Sequence, residues 1–83
     1  MGVRLIQYSY DELVKDIKMG HEIEFRYKGK IYGTLIVEDG YGLGEHCEEF
    51  VYFKTPEDLL HNGKINGEQL RDIWNEVEVI TTN

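Results

Sequence analysis

The stretch His21–Val37, HEIEFRYKGKIYGTLIV, constrains this chain more than any other. Ile23, Phe25 and Tyr27 alternate with Glu22, Glu24 and Arg26, the period-two pattern of a strand with one wet face. Ile31, Gly33, Leu35 and Val37 alternate with Tyr32, Thr34 and Ile36 in the same way. Lys28-Gly29 lies between the two runs, so the segment reads as a β-hairpin. Two turns compete. A two-residue turn pairs Tyr27 with Lys30 and sends the two odd-numbered apolar sets to opposite faces, because a one-residue slip reverses every side chain. A bulged turn with Gly29 left-handed pairs Arg26 with Lys30 and sets Phe25 beside Ile31 and Ile23 beside Gly33. The second is the expectation, since it gathers the odd-numbered apolar residues from 23 to 37 on one buried side.

Around the hairpin, Val3–Gln7 reads as a short edge strand. Ser9-Tyr10-Asp11-Glu12 forms a capping box, and Tyr10, Leu13, Val14 and Ile17 give helix 10–19 one apolar face before Gly20 ends it. Three glycines in five residues mark Glu38–Glu45 as a loop. Glu48–Lys54 is a third strand, expected beside the second and covered on both faces. Thr55-Pro56-Glu57-Asp58 starts a short helix that buries Leu59 and Leu60 and stops at Gly63. Asn66 caps a further helix that buries Leu70, Ile73 and Trp74. Val77–Thr81 is a final strand. The prediction is one α+β domain over residues 1–83. It has a small antiparallel sheet of three to five strands, an N-terminal helix, and two short C-terminal helices packed on one face.

Charge narrows the partners. Of the formal net charge of −7, residues 38–58 carry −6: seven acids against Lys54 alone. Such a field repels nucleic-acid backbones and anionic membranes and suits a basic protein surface. One cysteine, Cys47, forms no internal disulfide and suits a cytoplasmic thiol. No apolar run reaches the ~20 residues of a membrane span. The opening MGVRLIQYSYDE lacks the long apolar core of a signal peptide, and Ile6 stands where a myristoylation pattern needs Ser or Thr.

Catalytic and cofactor chemistry find little footing. Gly40-Tyr41-Gly42-Leu43-Gly44 lacks the third glycine of a dinucleotide fingerprint, Cys47 standing there, and has no Gly-Lys-Ser/Thr of a P-loop. His46 and Cys47, adjacent on a strand start, point to opposite faces and do not share a metal ion. Neither His21, His46 nor His61 is placed by sequence as a base for the Cys47 thiol. Tyr32 and Tyr52 are expected as a cross-strand pair, and Trp74 as a core anchor. The expectation is therefore no catalytic residue, no metal and no cofactor. Recognition falls to the acidic segment, with Glu38, Asp39, Glu45, Glu48 and Glu49 supplying charge and Tyr41 and Leu43 the apolar contact on a loop tip.

Two segments carry a resemblance. DELVKDIKMGHEIEFRYKGKIYG resembles the opening, and TPEDLLHNGKINGEQLRDIWNEVEV the ending, of small uncharacterised proteins of Gram-positive bacteria and their phages and prophages. The resemblance implies architecture and no activity. Its most recognisable positions, Leu59, Leu60, Ile65, Leu70, Ile73 and Trp74, read as packing. It makes the expected role that of a small acidic binding protein modulating a host protein, with inhibition of a defence or nucleic-acid enzyme as the inferred mode. A homodimer paired through a strand edge is the alternative.

Overall fold

The computed structural model describes residues 8–82, so the strand expected over Val3–Gln7 lies outside the described residues. Helix α1 spans Tyr10–Lys18 and starts as its sequence dictates. Ser9 Oγ accepts from the Glu12 N–H at 3.1 Å, and Glu12 Oε1 accepts from the Ser9 N–H at 2.8 Å. Gly20, at φ +90°, turns the chain out of the helix. Strands β1 (Ile23–Tyr27), β2 (Lys30–Val37), β3 (Gly40–Glu45) and β4 (Phe50–Phe53) follow as an antiparallel meander. Helix α2 (Pro56–Asn62) is capped by Thr55, whose hydroxyl accepts from the Asp58 N–H at 3.0 Å. A small hairpin, β5 (Lys64–Ile65) and β6 (Glu68–Gln69), leads into helix α3 (Leu70–Ile73) and a 3₁₀ turn over Trp74–Glu76. Strand β7 (Glu78–Thr82) returns beside β1, giving the sheet order β4-β3-β2-β1-β7. The α+β class, the N-terminal helix and the two short C-terminal helical pieces are as expected.

The hairpin register is not. Lys28 (φ 51°) and Gly29 (φ 79°) form a two-residue turn of the primed type, pairing Tyr27 with Lys30 and Phe25 with Tyr32. The twist of this turn matches that of the strands, and it needs no bulge. Ile23, Phe25 and Tyr27 therefore share the core with Tyr32 and Thr34. Ile31, Gly33, Leu35 and Val37 face the other way. A tyrosine takes the place of an aliphatic residue inside, its ring stacked on Phe25 at 5.9 Å between centroids. Buried Thr34 is satisfied because its Oγ1 accepts from the Ile23 N–H at 3.0 Å.

Further expectations change. Residues 40–45 form a strand, not a loop. The strand over Phe50–Phe53 consequently pairs with β3 rather than β2 and lies at the sheet edge. It is not covered on both faces, since Val51 and Tyr52 are 61% and 55% exposed. Tyr32 and Tyr52 stand on strands separated by β3 and on opposite faces, so they do not pair. Asn66 (φ 54°) and Gly67 (φ 79°) form a second primed turn instead of a helix cap, and α3 begins only at Leu70. His46 and Cys47 occupy the β3–β4 turn rather than a strand start.

One apolar cluster unites Leu13 and Ile17 of α1, Leu59 and Leu60 of α2, Ile65, and Leu70, Ile73 and Trp74 with the inward side chains of β1–β3. Polar ties fix its margins. The Trp74 indole N–H donates to the Tyr8 carbonyl at 2.8 Å, and the Tyr27 hydroxyl donates to Glu68 Oε1 at 2.9 Å. The Tyr8 hydroxyl donates to the Asp16 carboxylate.

These environments favour neutral tyrosines. Burial, followed by the Asp16 hydrogen bond, holds the Tyr8 hydroxyl well above the ordinary tyrosine range. Burial followed by the Glu68 bond raises that of Tyr27, and burial raises that of Tyr10. Unfolded tyrosines ionise near pH ~10. Stability is thus complete below that pH and falls as pH rises through it toward the folded-state values, because the unfolded chain loses its protons first. Urea midpoints measured from pH 7 to 11 are expected to be level to about pH 9 and then to drop. The drop is smaller in Tyr8→Phe and Tyr27→Phe. Equal drops in all three proteins would show that these hydroxyls are not the cause.

Candidate docking face

With every helix on one side, the other side of the sheet is left without a helix among the described residues. Its composition follows from strand parity. One row across it reads Thr81, Glu24, Gly33, Gly44, Phe50, and the next Leu35, Gly42, Tyr52. Gly40, Gly42 and Gly44 all present this face, and β4 leans over them. A Cβ at Gly42 would lie 2.8 Å from the Tyr52 ring, and one at Gly44 would lie 2.9 Å from Phe50 Cα. The alternate glycines thus let two aromatic rings lie on the strand beside them, as aromatic side chains do over glycine in sheets.

An open pocket of about 230 Å³ sits over Gly33, where the row has no side chain. Leu35 and Phe50 give it apolar walls, and Glu22, Glu24, His46 and Thr81 give it polar ones. Glu22 is held by its own sheet, its Oε2 accepting from the Ile36 N–H at 3.0 Å, beyond the end of β1. Glu24 Oε2 lies 3.9 Å from His46 Nδ1. At the far end of the same face Arg26 donates to Glu78 Oε1 at 2.8 Å, so the acids at the pocket are Glu22 and Glu24, with neither Lys nor Arg among the residues that line it. The site is therefore anionic at its rim, apolar in its walls and flat in its floor.

The residues expected to bind divide. Glu38 and Asp39 are exposed on the β2–β3 turn. Glu48 and Glu49 are exposed on the β3–β4 turn, with Glu45 half-buried at its start. The two turns lie at opposite ends of the six-residue β3, itself about 17 Å long at ~3.3 Å per residue, so the acids form two groups rather than one patch. The group Glu45, Glu48 and Glu49 lies at the end of the sheet that carries the pocket. The apolar contacts move altogether. Leu43 is 3% exposed in the core, and Tyr41 packs against the core on the helix side. A strand, unlike a loop tip, turns both residues to one face, and here that face is inward. Tyr52, Phe50, Leu35 and the outer side of Val37 supply the exposed apolar area instead. The strict alternation of GYGLG, glycine at every second position, is the signal that identifies this stretch as a strand.

No family model, curated protein or solved structure matches the chain. Its site is accordingly read from its own chemistry. Among the described residues no three of His, Cys, Asp and Glu converge as metal ligands, and no helix is long and apolar enough to cross a membrane. Cys47 is exposed on the β3–β4 turn, at φ 69°.

Proposed function

We propose that this protein is a non-enzymatic binding module that receives a basic segment of a protein partner on the helix-free face of its sheet. The observation that supports this reading most is the pocket over Gly33, with Glu22 and Glu24 at its rim and Leu35 and Phe50 as walls. An extended lysine or arginine side chain has that make-up: an apolar stem and a cationic end. The stem would lie on Leu35 and Phe50 and the cation against the carboxylates, while Glu45, Glu48 and Glu49 steer the approach. The resemblance of both ends of the chain to small phage and prophage proteins makes a host protein with a basic groove the partner class to test first, in the cytoplasm. Occupying such a groove would exclude nucleic acid from it.

The test is a titration with an arginine-rich peptide, followed by amide chemical shifts. Shifts are expected at Gly33, Leu35, Gly44 and Thr81, with little change on α3. Glu22→Gln combined with Glu24→Gln is expected to weaken binding about tenfold or more. Glutamine at 22 still accepts from Ile36, so the fold is kept. Asp72→Asn with Glu76→Gln, on the helix side, serves as the control of equal charge change. Equal weakening in both double variants would reduce the effect to net charge and reject the site.

A further inference from the structure

Among the residues that line the pocket over Gly33, one can become a cation: His46. The backbone beneath the ring sets its place on this face. The His46 N–H donates to the Ile31 carbonyl at 2.8 Å, and the Glu48 N–H donates to the Glu45 carbonyl at 2.9 Å, closing the β3–β4 turn. His46 thus continues the outward parity of Gly44, in the row next to that of Gly33. Its Nδ1 lies 3.9 Å from Glu24 Oε2. That is too long for a hydrogen bond, yet close enough for direct attraction once the ring is charged.

The groups that face this ring come from every neighbouring element. From the β1 side come Glu24 and Glu22, and Glu22 Oε2 already accepts from the Ile36 N–H. Arg26 stands in the ring's own row, across Ile31, and is engaged with Glu78 of β7. From its own turn, Glu48 and Glu49 are exposed nearby, whereas Glu45 has the parity of Leu43 and belongs to the other face. Lys30 of β2 likewise has helix-side parity. Gly33 of β2, Phe50 of β4 and Thr81 of β7 line the pocket without charge. A proton on His46 is therefore met by carboxylates. The one at 3.9 Å, Glu24, is one of the two that a bound lysine or arginine would use.

Given the pocket as a receptor for a basic segment, the reading on which this rests, we infer that His46 makes its binding pH-dependent. Protonated, His46 occupies Glu24 and repels the incoming cation; neutral, it leaves Glu24 free. Arginine and lysine keep their charge between pH ~5 and ~8, and histidine ordinarily changes its own within that range. Acidification therefore leaves the guest unchanged and sets a like charge beside its seat. The coupling is reciprocal: a seated guest disfavours the proton on His46, so binding in the middle of the range releases protons to solvent.

Titration with the arginine-rich peptide at about pH 7.5 and about pH 5.5 reads the effect. The parent is expected to bind about fivefold more weakly at the lower pH, the scale of an exposed ion pair. His46→Gln, neutral throughout, is expected to bind at both pH values within about twofold of the parent at the higher one. His46→Lys, charged throughout, is expected to bind at both as weakly as the parent at the lower one. His61→Lys adds the same charge on α2 and is expected to stay within about twofold of the parent at each pH, which separates the pocket from net charge. Calorimetry at about pH 6.5 in two buffers of different ionisation heat is expected to show proton release on binding by the parent, lost in His46→Gln. Parent binding that does not weaken on acidification overturns the inference and leaves the pocket standing. So does a weakening that His46→Gln keeps in full, which would belong to the carboxylates. A peptide that binds at neither pH removes the pocket and the inference together. Unfolding midpoints of the four proteins at both pH values confirm that the fold is intact.

Discussion

Phe25→Ala is expected to lower the melting temperature by about 15–30 °C and to leave much of the protein unfolded under mild denaturant. Phe25 is fully buried on β1, the strand between β2 and β7. Its ring stacks on Tyr32 and meets the edge of Trp74 at 5.1 Å between centroids. Trp74 in turn holds the Tyr8 carbonyl through its indole N–H. Removing the ring thus opens a cavity where sheet, C-terminal helical segment and start of α1 meet. Such a truncation costs ~3–5 kcal/mol, transfer and cavity terms together. Small domains hold only ~5–15 kcal/mol in all, and a chain this short lies toward the lower end. Phe25→Leu, which fills most of the space, is the comparison and is expected to lose less than half as much. Thermal unfolding followed by far-UV circular dichroism measures both. A loss of under about 5 °C for the alanine variant would mean that the cluster is not the keystone of the fold.

Which residues form this cluster was only partly legible in the chain. The capping box at Ser9–Glu12, the Thr55-Pro56 helix start and the stripes Leu13–Ile17 and Leu70–Trp74 act locally, so the sequence alone specifies them. Register is a different kind of property. Both β1 and β2 carry an odd-numbered apolar set, and matching them requires a bulge. Lys28-Gly29 instead adopts the two-residue turn with both residues left-handed. The strand then buries Tyr32 and Thr34, because Phe25 can stack on a tyrosine ring and Thr34 can satisfy the Ile23 N–H. Hydropathy alone ranks Ile31 and Leu35 above these two and so favours the other face. The docking face was illegible for the same reason. Glu22, Glu24, Leu35 and Phe50 converge only once the register is set. Asn66-Gly67 illustrates a competing signal: the dipeptide marks a hairpin, yet the glutamine at 69 imitates a capping box.

The glycines of β3 give the second large effect. Alanine at a glycine restricts the unfolded chain and by itself stabilises by ~0.4–1 kcal/mol. At Gly40 that gain is outweighed. The added Cβ would lie 2.3 Å from the Phe53 carbonyl oxygen and 3.3 Å from its carbon, both backbone atoms that move only with the strand. At Gly44 the Cβ would meet Phe50 Cα at 2.9 Å and the Glu49 carbonyl at 3.0 Å. Overpacking of this kind costs ~1–3 kcal/mol. Gly42 differs, because its nearest neighbour is the ring of Tyr52, an exposed side chain that can swing away. Gly33 differs again, with Ile23 O at 3.2 Å, a contact relieved by a few tenths of an ångström. The expected order of destabilisation by alanine is therefore Gly40 and Gly44 first, then Gly42, then Gly33. Since β4 is an edge strand, the damage is expected to be local. The amides of Val51 and Phe53 lose protection from hydrogen exchange in Gly40→Ala, and those of β1 keep theirs. Uniform loss across the sheet, or equal effects at all four positions, would mean that the alternate glycines do not exist to seat β4. If the order holds, β4 is also the part of the molecule most easily released, while β1, with Glu24 and its neighbour Glu22, stays in place.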